Sequence, residues 1–204
     1  MLTLYYAPST ASLVVHWLLI ELGLEHELVK VDIDAGEQRR PEYLAVNPAG
    51  RVPALRIDGQ VMTEAAAIVM HLADRHGLAP PVGERAAYYQ WMCFCANTLQ
   101  PAYRAWFYPT EPAGEVHVDA VRAQARERIE WAWQQVDAHL AGGGPYLLGE
   151  LSALDFMVTM LMRWSRNMPR PAHTWPALGA FAARMKARPG FREVYRREGL
   201  TDWT

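Results

Sequence analysis

The chain has 204 residues, 51% of them hydrophobic and 21% charged, with a formal net charge of −2. That composition excludes a disordered chain, and the charge gives no footing for nucleic acid or an acidic membrane surface. Two cysteines, Cys93 and Cys95, imply no disulfide framework and point to a reducing cytoplasm. The N-terminus lacks the basic segment of a signal peptide, and its apolar run is broken by His16 and Glu21, too short and too polar to span a bilayer.

Leu2–Tyr6 reads as a β-strand ended by Pro8. Ser9, Thr10 and Ser12 are helix-starting residues, and the dense apolar run from Leu13 to Leu22 predicts a largely buried helix stopped at Gly23. Glu27–Ile33 alternates as a second strand. Pro41–Val46 reads as a short helix closed by Asn47-Pro48. Pro53–Ile57, the turn Asp58-Gly59 and Val61–Thr63 form a hairpin with a type I′ turn. Thr63 is placed to cap a helix over Glu64–His76. The order is βαβαββα, a small mixed sheet with helices on both faces.

Gly77–Glu84, rich in proline and glycine, reads as a linker, giving domains at 1–78 and 85–204 joined by 79–84. The first 80 residues carry 6 basic and 10 acidic side chains, a net of −4, and the remainder a net of +2. The second half holds seven of the eight tryptophans and only helical apolar spacing, over Arg85–Tyr108, Val116–Leu140, Ala153–Asn167 and Trp175–Arg188. Ser152 with Asp155 forms a capping box, flanked by Leu151 and Phe156 as a hydrophobic staple, a folding device.

Four stretches in this order, YYAPSTAS, NPAGRVPAL, TEAAAI and LSALD, resemble the cytosolic glutathione transferases, closest in phrasing to the bacterial beta class. The resemblance implies an α/β plus all-α protein, a thioredoxin-like first domain followed by a helical one. It also implies a glutathione co-substrate, no metal and a homodimer in which the first domain of one chain meets the helical domain of the other.

Physical chemistry gives the matched residues their roles. The Val52-Pro53 bond is a candidate cis peptide, which would offer the backbone of Val52 to the cysteinyl part of glutathione as an added strand. Glu64 and Ala65 at a helix N-terminus suit the ammonium and carboxylate of a γ-glutamyl group, or Glu64 is simply an acid favoured there. Ala65 stands where the family has Ser or Thr, one hydrogen bond fewer. Arg51, and also Arg39 or Arg40, are placed for the glycyl carboxylate or are solvated surface cations.

The chemistry required is stabilisation of a thiolate. Ser12 ranks first, then Ser9 and Thr10, with Tyr6 last; some of these hydroxyls only start the helix. Aligned on Pro8, the beta class places its cysteine at Ala11, a departure that argues against a stored mixed disulfide. Gln100 stands where that class often has histidine. Tyr103, Trp106, Phe107 and Trp164 line a pocket for an apolar or aromatic electrophile or belong to the core. No H-x-x-x-H or H-E-x-x-H spacing suggests a metal, and no glycine-rich phosphate loop or G-x-S-x-G elbow is present. Three functions follow: conjugation of glutathione to an electrophile; glutathione-dependent isomerisation, dehalogenation or peroxide reduction; or binding without catalysis.

Overall fold

A computed structural model describes the backbone of residues 1–204 and the burial of every side chain except that of Ala113. Four strands form one mixed sheet: β1 (Leu2–Tyr6), β2 (His26–Lys30), β3 (Ala54–Ile57) and β4 (Gln60–Thr63), in the order β2-β1-β3-β4. β1 and β2 run parallel, joined across helix α1 (Ser12–Glu21), while β3 is antiparallel to both β1 and β4. A parallel pair needs such a crossover, whereas a two-residue turn suffices for the hairpin. At that turn Asp58 and Gly59 have φ of 49° and 87°, as a type I′ turn demands. Leu4 lies opposite both Leu28 and Leu55, and it and Leu55 are fully buried.

Helix α1 is buried continuously from Ser12 to Leu19, which accounts for its lack of a polar stripe. After the short α2 (Pro41–Leu44), helix α3 (Ala65–His76) ends on Gly77 in the left-handed conformation. Its N-cap is Glu64 rather than Thr63, which remains in β4; no side chain caps it.

The helical part comprises α4 (Ala86–Phe94), α5 (Gln100–Phe107), α6 (Thr110–Ala113), α7 (Val118–Gly143), α8 (Ala153–Trp164), α9 (Pro176–Lys186) and α10 (Pro189–Glu198). The long helix expected over Arg85–Tyr108 widens into a π-turn at Cys95–Leu99. Pro101 follows directly: it has no N–H for the helical ladder, and its ring crowds the preceding turn. Helix α8 is buried from Ala153 to Arg163. Asp155, fully buried, accepts the N–H groups of Ser152 at 2.8 Å and Leu147 at 3.0 Å, completing the expected capping box. Asp137 accepts the N–H groups of Ala177 and Leu178, both at 2.9 Å, and so caps α9.

The chain divides into two compact units, one of Met1–Ala79 with Lys186–Thr204, the other of Pro80–Met185. Helix α10 therefore packs with the sheet, against α1. Among the described residues no helix is long and apolar enough to cross a membrane.

Candidate functional site

The sheet unit gathers three places where backbone polar groups are open. The first lies in the turn between β1 and α1. Ser12 is fully buried, and its hydroxyl is committed to the turn: it donates to the Ala7 carbonyl at 2.9 Å and accepts the Ala7 N–H at 3.2 Å. Thr10 is half-buried; its hydroxyl donates to the same carbonyl at 2.8 Å and lies 2.9 Å from the Ser12 hydroxyl. Ala11, half-buried, is the N-cap of α1, and its N–H has no partner among the described residues. Ser9 has φ of 66°, a conformation uncommon for a residue with a Cβ, and its N–H donates to Glu198 at 3.0 Å. Tyr6 lies behind the turn, only 9% exposed, and burial followed by the charge of Glu198 pushes its pKa up, so it remains a neutral phenol.

The second place is the loop before β3. The Val52–Pro53 bond is cis. Val52 is half-buried and neither its N–H nor its carbonyl has a partner among the described residues. Its neighbours are held firmly: the Arg51 carbonyl accepts the Tyr43 hydroxyl at 2.7 Å and the Asn47 side-chain amide at 2.6 Å. Burial raises the Tyr43 pKa to about 12, which keeps that donor protonated. Asn47 also accepts the Ala49 N–H at 3.0 Å through its side chain. Gly50 has φ of 59°, and a Cβ there would lie 2.8 Å from the Gln38 carbonyl oxygen, so the N-P-x-G spacing is a requirement of this loop. The side chains of Arg51, Arg39 and Arg40 are exposed.

The third place is the start of α3. Glu64 is exposed with φ of 67° and ψ of 108°, a strained backbone for a non-glycine residue. Ala65 is buried, and the uncapped first turn leaves N–H groups open to an anion.

In the helical unit, Tyr103, Phe107 and Trp164 form one aromatic cluster, with ring centroids 5.6 Å apart for Tyr103–Trp164 and 6.0 Å for Tyr103–Phe107. Tyr103 is wholly buried and its hydroxyl accepts the Trp133 indole N–H at 2.9 Å, so it supports the cluster from the core. Phe107 is 46% exposed, and Trp106 and Trp164 are half-buried. Gln100 opens α5. Burial pushes the Cys95 thiol up to about 12, and Cys93 is exposed on α4. No cluster of metal-ligating side chains occurs among the described residues.

Sequence reasoning missed two polar residues behind the first place, His16 and Glu198. Their side chains are both inaccessible, and His16 Nδ1 lies 2.9 Å from a Glu198 carboxylate oxygen. A lone histidine in an otherwise apolar helix was the only available signal; 182 residues separate the pair.

Residues 1–74 match the family "Glutathione S-transferase, N-terminal domain". The chain is 30% identical to glutathione S-transferase GstA of Escherichia coli O157:H7 over 97% of its own length and 98% of that protein. A glutathione transferase homologue from Sulfitobacter, solved with bound glutathione, superposes with a TM-score of 0.90 at 29% identity, covering 98% of this chain and 99% of that one. A bacterial beta-class glutathione S-transferase from Sphingomonas chungbukensis superposes with a TM-score of 0.85 at 28% identity, covering 98% of this chain and 100% of the other.

Proposed function

This chain belongs to the glutathione S-transferase family, and we propose that it binds glutathione on its sheet unit, stabilises the thiolate and conjugates it to an apolar or aromatic electrophile. The observation that carries this reading is the set of three unsatisfied backbone sites on one unit, each matched in chemistry to a part of one tripeptide. The N–H and carbonyl of Val52, followed by Pro53, receive the cysteinyl backbone as an added strand. The open N-terminus of α3 at Ala65 takes the γ-glutamyl carboxylate and the Glu64 side chain its ammonium. Arg51, aided by Arg39 or Arg40, takes the glycyl carboxylate.

The sulfur then lies at the N-terminus of α1. The chain lacks the beta-class cysteine, for Ala11 stands in its place. The open Ala11 N–H and the positive end of the helix favour the anion. Thr10 supplies the hydroxyl donor by turning its proton from the Ala7 carbonyl, which keeps the Ser12 hydroxyl as partner. Ser12 holds the turn and Ser9 is fixed through its backbone. Trp106, Phe107 and Trp164 offer the apolar surface that selects the electrophile. The protein acts as a homodimer in the cytoplasm and needs no metal.

A titration of thiolate absorbance in the glutathione complex tests this. A free thiol has a pKa of about 8.5, and lowering it by about 2 requires roughly 2.7 kcal/mol. A bound thiol with an unshifted pKa overturns the transferase reading and leaves glutathione binding without catalysis. Isomerisation, dehalogenation and peroxide reduction use the same thiolate, and a panel of electrophiles separates them from conjugation.

A further inference from the structure

Helix α10 lies at the far end of the sequence from β1, yet its last residue, Glu198, reaches the turn that this reading gives to the thiolate. One oxygen of Glu198 accepts the Ser9 N–H at 3.0 Å, and the other meets His16 Nδ1 at 2.9 Å. Neither the Glu198 nor the His16 side chain has any exposed surface. A buried carboxylate this far from solvent needs donors on both oxygens, and the geometry supplies one to each. Facing a carboxylate oxygen, His16 Nδ1 is the donor of this contact, and Nε2 has no partner.

The attachment of α10 to the sheet unit does not depend on this contact. Glu21 pairs with Arg188, and the Trp17 and Phe191 rings lie 5.2 Å apart. At Gly190 a Cβ would come within 3.1 Å of Trp17 Nε1, so the two helices approach closely there as well. What the Glu198 carboxylate adds is a hold on one backbone N–H. That N–H belongs to Ser9, whose φ of 66° is uncommon for a residue with a Cβ. The conformation of Ser9 in turn sets where the Thr10 hydroxyl and the Ala11 N–H point.

Resting on the function proposed above, we infer that Glu198 is a positioning residue for the glutathione thiolate: oriented by His16, it holds Ser9 in the left-handed conformation that aims Thr10 and Ala11 at the sulfur. It touches neither substrate nor sulfur and acts through the loop.

The test measures the pKa of the bound glutathione thiol by absorbance, beside thermal stability and kcat/KM, in the full chain and its variants. Glu198→Ala is expected to move the bound thiol back toward its free value and to lower kcat/KM by about 10- to 100-fold, the scale of a small misplacement of reacting groups. Glu198→Gln keeps an oxygen for the Ser9 N–H and is expected to recover most of both. Glu21→Gln, which weakens the docking of the same helix, is expected to lower the melting temperature while leaving the bound thiol pKa as in the wild type. If Glu198→Ala does not fold, Glu198→Asp carries the test, because its shorter side chain withdraws from Ser9 while keeping the charge; a partial shift in the same direction is expected. A wild-type bound-thiol pKa in the Ala or Asp variant, or an equal shift in Glu21→Gln, overturns the inference. An unshifted thiol in the wild-type complex instead overturns the functional reading on which it rests.

Discussion

Ser9, Thr10 and Ser12 are chemically near-equivalent, and folding gives each a different task. The sequence ranks Ser12 first for the thiolate because it matches the serine beside the beta-class cysteine, with a plain helix-starting role as the alternative for such hydroxyls. The fold buries Ser12 completely and commits both its proton and a lone pair to Ala7. Burial follows from β1 and α1 meeting at this turn, which no local pattern reveals. Ser12→Ala is therefore expected to cost about 1–3 kcal/mol of stability by leaving the Ala7 N–H without its acceptor, measured by denaturant unfolding. Thr10→Ala, which removes the longer 3.3 Å bond from the Ser12 N–H, should cost less stability than Ser12→Ala and lower turnover with glutathione. Turnover that survives Thr10→Ala but falls with Ser9→Ala would transfer the donor role to Ser9. Ala11→Cys supplies a thiol where the bound sulfur is proposed to lie. Incubated with oxidised glutathione, that variant should gain the mass of one glutathionyl group at this position. Labelling confined to Cys93, which is exposed in the wild type, would place the ligand's sulfur elsewhere.

At the scale of elements, strong local signals carried most of the fold. The hairpin was legible because Asp-Gly accepts two positive φ values, and β1 matched at both ends because Pro8 closes it. The loop of NPAGRVP was legible too: its spacing encodes the Asn47 bonds and the tight Gly50. Helix α10 was missed although Pro189 at its start and Gly199 past its end are strong boundary marks. Its many charges hid a narrow apolar face of Phe191, Val194 and Tyr195. The π-turn was missed because Pro101 widens a helix whose apolar spacing still reads as continuous.

The capping box adds a pH dependence to this level. Burial, opposed by four hydrogen bonds, raises the Asp155 pKa from 3.8 to about 6. The folded state then holds the proton more tightly than the unfolded chain. The carboxyl's contribution to stability is full below about pH 3.8 and is lost as the pH rises through 6, a change on the order of 3 kcal/mol at most. Asp155→Asn removes the titration. Its stability deficit relative to wild type should shrink between pH 4 and pH 7 in denaturant melts; a deficit that grows over that range would mean the four hydrogen bonds outweigh burial.

On the scale of the whole molecule, the small net charge conceals an acidic first part and a basic remainder, and the aromatic residues are concentrated in the second. Some of those aromatics have no core to enter. Trp91 and Phe94 on α4 lie edge to face at 5.3 Å, Phe94 lies 6.0 Å from Trp131 on α7, and Trp131 is 51% exposed. Tyr89, 46% exposed, lies on the same helix α4. Large rings contribute most to association when buried, and a partly exposed aromatic strip marks an interaction surface. The proposed homodimer gives this strip an occupant, a second copy of the chain. Light scattering should then report a dimer at micromolar concentration, and Trp131→Glu, which sets a charge in the strip, should shift it toward monomer. Bound-glutathione thiol pKa should remain that of wild type in the Trp131→Glu protein, because the three backbone sites lie within one sheet unit. A wild-type monomer would remove the dimer, whereas a dimer unaffected by Trp131→Glu would place the interface on another face.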